Sequence, residues 1–344
     1  MRGVLSVSIQ SLDLVRTHMV SINDEVSAKA MGGTELMGTR LESSIDADLL
    51  SNFQIIRSRV RDLDETKIRI LWLHDLPDDP ESAHLANGGW KKFHRLVFVS
   101  NWQMQGYIAK YDIPYSKCIV MHNAITPIEY HEKPKDKISL AYWSTPHRGL
   151  NILVPVFQKL CEKYDNIELN VYSSFNLYGW AERDEPFKPL FDACEAHPKI
   201  NYFGTIPNDQ LRDELKNNHI LAYPSTWVET SCLVLMEAMS AGMLCVHPNL
   251  GALYETAANW TSMYQFIEEP NDHAAYFYKY LEDAIEYLNN EAIQSRIASQ
   301  KGYADVFYNW DIRKQQWEAL LTSLLNEPRE LPKDEGPMFT YRVG

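Results

Sequence analysis

Long apolar runs are missing from this chain. Across its 344 residues no uninterrupted stretch approaches the about 20 apolar residues of a membrane-spanning helix, so no transmembrane segment is expected. Gln10 and Asp13 interrupt the N-terminal stretch and no small-residue cleavage site follows, so a signal peptide is not expected either. Cysteine is scarce. Cys118, Cys161, Cys194, Cys232 and Cys245 form no CxxC pair, which reads as free thiols in a reducing, cytoplasmic setting. Positive charge is in deficit, with 33 Lys and Arg against 46 Asp and Glu and a formal net charge of −13. That balance argues against a general nucleic-acid binder, whose affinity rests on phosphate neutralisation, but leaves room for a local basic pocket for one nucleotide. HExxH is absent, and His84, His94, His122, His131 and His147 are not set at helical ligand spacing. Asp78-Asp79 has the look of a metal-binding pair but sits in an LPDDP turn, so no metal is expected.

What is present is an ordinary globular composition, 45% apolar and 23% charged, on a chain long enough for two domains. Runs rich in Ile, Val and Leu alternate with helical stretches: Val4 to Ile9, Ile68 to His74, Arg95 to Ser100 and Lys117 to Ile125 as strands, with helices over Gly33 to Ile45 and Asn101 to Tyr111. The polar segment Thr126 to Lys137 reads as a linker. Beyond it the pattern restarts with strands at Ile138 to Ser144, Ile167 to Ser174, Ile200 to Ile206, His219 to Pro224 and Met243 to Pro248. Helices are expected over Leu150 to Tyr164, Asn208 to Asn217, Thr230 to Ala241, His273 to Asn289, Glu291 to Phe307 and Ile312 to Leu325. This predicts an α/β architecture of two parallel-sheet units with a ligand cleft. The expected division is 1–126, then 127–309, then a terminal helix and tail over 310–344.

The most informative stretch is PSTWVETSCLVLMEAMSAG, Pro224 to Gly242. Pro224 ends a strand because it cannot donate to a sheet ladder. Thr230 or Ser231 can cap the helix that follows, and the amides of Ser231, Cys232 and Leu233 would then form an anion site. Glu229, just before that helix, can accept two hydroxyl hydrogens from a sugar ring. Glu237, two turns in, shares a face with Leu233 and Ala241, where a carboxylate is costly without a partner. It is either held by something such as a ribose diol or is a solvated helix glutamate.

The motif resembles the E-x7-E signature of retaining glycosyltransferases of the sucrose-synthase and glycogen-synthase related group, family 4. Thr230-Ser231-Cys232 stands where many members carry Phe-Gly. Further segments resemble the family in order: Gly32 to Glu35 its glycine-rich loop, Ser144 to Leu150 its basic phosphate turn, Phe203 to Leu211 its strand–loop–helix unit and Asn309 to Leu321 its terminal helix. The resemblance implies the glycosyltransferase B-type fold, two Rossmann-like domains facing across a cleft. The donor, a UDP- or GDP-sugar, would lie against the second domain, the acceptor against the first, and the terminal helix would cross back to the first. It also implies catalytic roles for Glu229, His74 and Arg148. Gly32, Gly33, Arg148, Gly204, Thr230, Ser231, Cys232, Leu233 and Glu237 would bind the donor, and Asp75 the acceptor.

Residue chemistry fits these assignments. Arg148, in a loop after a strand, can neutralise a leaving diphosphate. Where the family carries a Gly-Arg pair this chain reads Tyr142-Trp143-Ser144, so either one phosphate ligand is absent or His147 stands in for it. His74 ends a parallel strand and would face the crevice. The function expected is metal-independent, cofactor-free transfer of a sugar from a nucleotide diphosphosugar to a hydroxyl of a glycan, lipid-linked oligosaccharide or small molecule, with retention. The rivals are a sugar-nucleotide 2-epimerase and a non-catalytic scaffold of the same fold. Arg57 to Arg69 gives slight support for peripheral membrane contact, offset by its acidic residues.

Overall fold

The computed structural model describes residues 32–327. The expected strand Val4 to Ile9 and the irregular tail beyond Glu327 lie outside the described residues. The chain divides into two units. One holds the described residues up to Thr39 with His122–Arg313, the other Arg40–Met121 with the described residues from Lys314 onward.

The second of these carries a four-stranded sheet of β1 (Phe53–Arg57), β2 (Ile68–Leu73), β3 (Arg95–Phe98) and β4 (Cys118–Val120), paired in that order and parallel throughout. The other carries a six-stranded sheet built from β5 (Ile138–Trp143), β6 (Ile167–Tyr172), β7 (Ile200–Tyr202), β8 (Ile220–Ala222), β9 (Leu244–Pro248) and β10 (Ser262–Tyr264). Its order is β10-β9-β8-β5-β6-β7, again all parallel. Parallel ladders need crossovers, and helices supply them. In chain order the α-helices are α1 (Gly33–Ser44), α2 (Ala47–Leu50), α3 (Asn101–Tyr111), α4 (Leu150–Cys161), α5 (Lys188–Ala196), α6 (Asn208–Leu215), α7 (Leu233–Ser240), α8 (Leu253–Ala257), α9 (Pro270–Tyr287), α10 (Glu291–Phe307) and α11 (Trp310–Leu325), of which α3 to α8 lie between strands.

The strands are apolar on both faces because helices cover both. Leu140, Ala141 and Tyr142 of β5 and all of β8 are buried. In the smaller sheet's unit Trp317 of α11 packs edge-on against Trp72 of β2, ring centroids 4.8 Å apart. Helix entries follow local chemistry. Ser100 caps α3 by accepting from the Gln103 amide, and Asp112 ends it in the left-handed region.

Several sequence expectations run long. The strand expected over Lys117 to Ile125 is paired only at Cys118–Val120, and Met121 gives the sheet one further amide bond. A strand ends where its neighbour's ladder ends, which composition does not reveal. β1 and β10 were not expected. The segment 126–137, expected as a linker, is tied to the six-stranded unit: Lys133 donates to the carbonyl of Ala241 at 3.0 Å and the Ile128 amide to Ser240 at 2.8 Å.

Candidate donor site at the carboxyl edge of the six-stranded sheet

Two crossovers meet at this edge. After β5, Pro146 opens a single 3-10 turn that closes on Gly149 at φ +112°, a conformation open to glycine. A Cβ on Gly149 would collide with the Pro224 carbonyl, so the loops after β5 and β8 touch backbone to backbone. A second glycine, Gly251 after β9 at φ +60°, lies under Glu229, and a Cβ there would sit 2.5 Å from the Glu229 carbonyl oxygen. The Ala252 amide donates to that oxygen at 2.7 Å.

This packing delivers Arg148 to Glu229. Arg148 Nη1 lies 2.9 Å from Glu229 Oε1, and Tyr223 donates its hydroxyl to the same oxygen at 2.7 Å. Glu229 is buried, and the Arg148 guanidinium sits 5.6 Å from the Trp227 ring centroid. Burial opposes the arginine's charge, but Glu229 foremost among its neighbours holds its pKa well above the ordinary value. Burial, then Glu229, pushes the Tyr223 hydroxyl well up, so it remains a donor. His147 is stacked on Phe175 at 5.2 Å and meets Trp227 edge-on at 5.0 Å. Burial, then Arg148, lowers its pKa to about 3. Near neutral pH the imidazole is therefore uncharged, and as a stand-in for the family's second basic residue it offers a hydrogen bond and no positive charge.

Glu237 is buried too, which removes the solvated alternative. Its partner is Arg212 of α6, with Nη1 3.3 Å from Glu237 Oε1. Sequence reading missed Arg212, which sits among charged residues of an outwardly polar helix and carries no motif.

One local expectation is corrected. α7 begins at Leu233, and its N-cap is Cys232 with no side-chain cap bond; neither Thr230 nor Ser231 caps it. The two residues instead prolong the loop that carries Glu229. The Cys232 thiol faces the Val234 and Leu235 amides, but burial and then Glu229 push its pKa well above the ordinary value, so it stays a thiol.

Polar atoms gather along this edge. Asn123 Oδ1, Thr145 Oγ1, Arg148 Nε, Ser173 Oγ, Thr205 Oγ1 and Ser231 Oγ are all buried with no hydrogen-bond partner among the described residues. Thr145, Ser173 and Thr205 follow the carboxyl ends of β5, β6 and β7, and Ser231 lies in the loop after β8. In a parallel sheet these ends share one edge. Gly204 lies there at φ +63°, and a Cβ on it would meet nothing within 4 Å. Gly33 is also brought in: a Cβ on it would lie 3.3 Å from Leu233 Cδ1, and one on Gly32 would collide with the Tyr178 ring.

His74 and Asp75 belong to the four-stranded unit, at the end of β2. His74 is buried with its ring 4.6 Å from that of Trp72, the two planes tilted by 51°; burial, then Arg57, lowers its pKa to about 3. Burial, then Asp79, raises that of Asp75, while a Ser58 hydrogen bond opposes the rise. Ser58 is the residue that the sequence concealed. It sits at φ +57°, a strained value for serine, and its hydroxyl oxygen accepts the His74 amide at 2.8 Å. Among the described residues no group of three or more His, Cys, Asp or Glu comes together as a metal site, and no helix is long and apolar enough to cross a membrane.

Two parallel sheets, with a polar edge built around two arginine–carboxylate pairs, define an α/β protein of the glycosyltransferase B-type fold. More narrowly, the chain belongs to the glycosyl transferases group 1 family, whose sequence profile matches residues 129–302. It is similar to the phosphatidylinositol N-acetylglucosaminyltransferase GPI3 subunit of Saccharomyces cerevisiae, at 21% identity over 182 residues, covering 49% of this chain and 39% of the relative. The chain thus spans well under two thirds of that relative's length. Among solved structures it resembles a glycosyltransferase from Rickettsia africae ESF-5, with a TM-score of 0.64 and 14% identity over 89% of this chain and 85% of that one. It also resembles Anabaena HepE in complex with UDP-glucose, with a TM-score of 0.58 and 15% identity over 75% of this chain and 72% of that one.

Proposed function

We propose that the chain is a retaining family 4 glycosyltransferase that moves a sugar from a nucleotide diphosphosugar to an acceptor hydroxyl. The observation that carries this reading is the row of buried, partnerless polar atoms along the carboxyl edge of the six-stranded sheet. Buried polar groups are nearly always satisfied, so a site that leaves several open is built for a polar ligand. A nucleotide diphosphosugar has the matching set: ribose and sugar hydroxyls, and a dianionic diphosphate.

In this reading the six-stranded unit binds the donor and the four-stranded unit the acceptor. Arg148 stabilises the charge that develops on the leaving diphosphate, and that role is assigned to it rather than to a metal. Glu229 orients the sugar and Glu237 the ribose. Gly32, Gly33 and Gly204 let backbone approach the donor, with Thr230, Ser231, Cys232 and Leu233 lining it. His74 is assigned to a sugar hydroxyl and Asp75 to the acceptor. Each signature carboxylate has one oxygen engaged by arginine, which leaves the other for a hydroxyl. No side chain is proposed as a covalent nucleophile. The donor phosphate takes the acceptor proton as the bond to the anomeric carbon breaks, which keeps the new bond on the same face.

UDP-glucose in HepE makes a UDP-sugar the first donor to try, and the name of the yeast relative adds UDP-N-acetylglucosamine. The relative's acceptor, a phosphatidylinositol, makes a lipid-borne hydroxyl the first acceptor to try. A cytoplasmic location is proposed on the free-thiol composition. The test is a thermal-shift screen of UDP- and GDP-sugars, followed by an assay of the stabilising donor for nucleoside diphosphate release and by NMR of the product's anomeric configuration. Release of diphosphate with an added, retained sugar is expected. An epimerised nucleotide sugar without transfer, or an inverted linkage, would contradict the proposal.

A further inference from the structure

We propose that Arg212 is the residue that positions Glu237, an inference that rests on the reading of Glu237 as the ribose ligand. Arg212 belongs to α6, outside the E-x7-E stretch. Its guanidinium is held from two sides. Nη1 lies 3.3 Å from Glu237 Oε1, while Nη2 donates to the carbonyl of Thr126 and lies 3.5 Å from that of Pro127. The side chains of Arg212 and Glu237 are only 16% and 7% exposed.

The geometry gives Arg212 a directional task. The carbonyls of Thr126 and Pro127 fix one arm of the fork on backbone, so the other arm fixes where Glu237 Oε1 sits. Oε2 accepts no hydrogen bond from any described residue and is the oxygen left for a hydroxyl pair. A buried carboxylate without its cation would turn away to find another partner, which spoils it as a double acceptor. Lysine would not substitute fully, because a single ammonium cannot hold backbone carbonyls and carboxylate in the fixed directions of a planar fork.

The test compares ribose recognition in wild type, Arg212→Met and Arg212→Lys. Calorimetric titrations use UDP, GDP and their 2′-deoxy forms as probes. Wild type should prefer the ribose form of whichever diphosphate it binds by about tenfold or more. In Arg212→Met that preference should fall to within about twofold, through weaker binding of the ribose form while the 2′-deoxy form binds nearly as before. Arg212→Lys should recover part of the preference. A merely structural arginine would weaken both forms alike, and that outcome overturns the proposal, as does an unchanged preference in both variants. If Arg212→Met fails to fold, the lysine variant decides on the same ratio. A wild type with no ribose preference would sink the reading of Glu237 and the inference with it, whereas a preference kept in the variants would sink the inference alone.

Discussion

The carboxyl ends of the two sheets are furnished differently. In the six-stranded unit both signature carboxylates are matched to arginines, Arg148 to Glu229 and Arg212 to Glu237. In the four-stranded unit His74 is buried and neutral, and the half-buried Asp75 has its pKa raised by burial and then Asp79, beside a strained Ser58. One edge is organised around paired charges and the other around a neutral imidazole and a half-buried carboxyl. The proposal puts the diphosphate at the first and the acceptor hydroxyl at the second.

The sharpest way to break this contrast is to remove the charge. Arg148→Ala should lower kcat by about 10³ and destabilise the fold by about 3 kcal/mol, since Glu229 is left buried without its cation. Single-turnover kinetics and urea unfolding measure the two effects, and a full-rate variant would erase the distinction between the edges.

Backbone contact comes next. Gly149→Ala places a methyl group against the Pro224 carbonyl at φ +112° and should cost about 3 kcal/mol, whereas Gly204→Ala, in open space at φ +63°, should cost only about 1 kcal/mol. Parallel urea titrations test the difference, and equal losses would mean that the two loops do not depend on close approach.

On the other edge, Asp75→Asn should lower transfer to acceptor by about tenfold while leaving UDP or GDP affinity unchanged within about twofold. Loss of nucleotide affinity in that variant would break the division of labour.

A further effect, spread over several residues, is common to both units. His247 and His273 in one unit have pKa values lowered to about 4, and His74 in the other to about 3, each chiefly by burial. The unfolded chain binds these protons near the ordinary 6.5 and the folded chain does not, so stability is lost as pH falls below that value. Each histidine contributes at most about 1.4 kcal/mol per pH unit. Urea midpoints at pH 7 and pH 5 should fall in that direction, with a shallower slope in His247→Gln. A midpoint that rises on acidification would contradict the burial of these rings.

Much of the candidate donor edge was legible in the sequence because it is carried by short local signals. Pro224, Glu229 and Gly242 stand at fixed spacing, and Arg148 follows a strand with a glycine behind it. The partners were not legible. Arg212 and Tyr223 reach the carboxylates from other elements, and no spacing rule links α6 to α7. The start of α7 was misjudged because Thr230 and Ser231 are good capping types, while the loop holding Glu229 against Gly251 needs their length. β1 was hidden because FQIIR is short and flanked by charge, and Ser58 because nothing in a serine announces a left-handed backbone.

The most direct test is a crystal structure of the chain soaked with UDP or GDP. The account predicts the diphosphate against Arg148 and the ribose hydroxyls on Glu237 Oε2, with the base beside Gly204. A nucleotide bound elsewhere, or with its diphosphate turned away from Arg148, would contradict it.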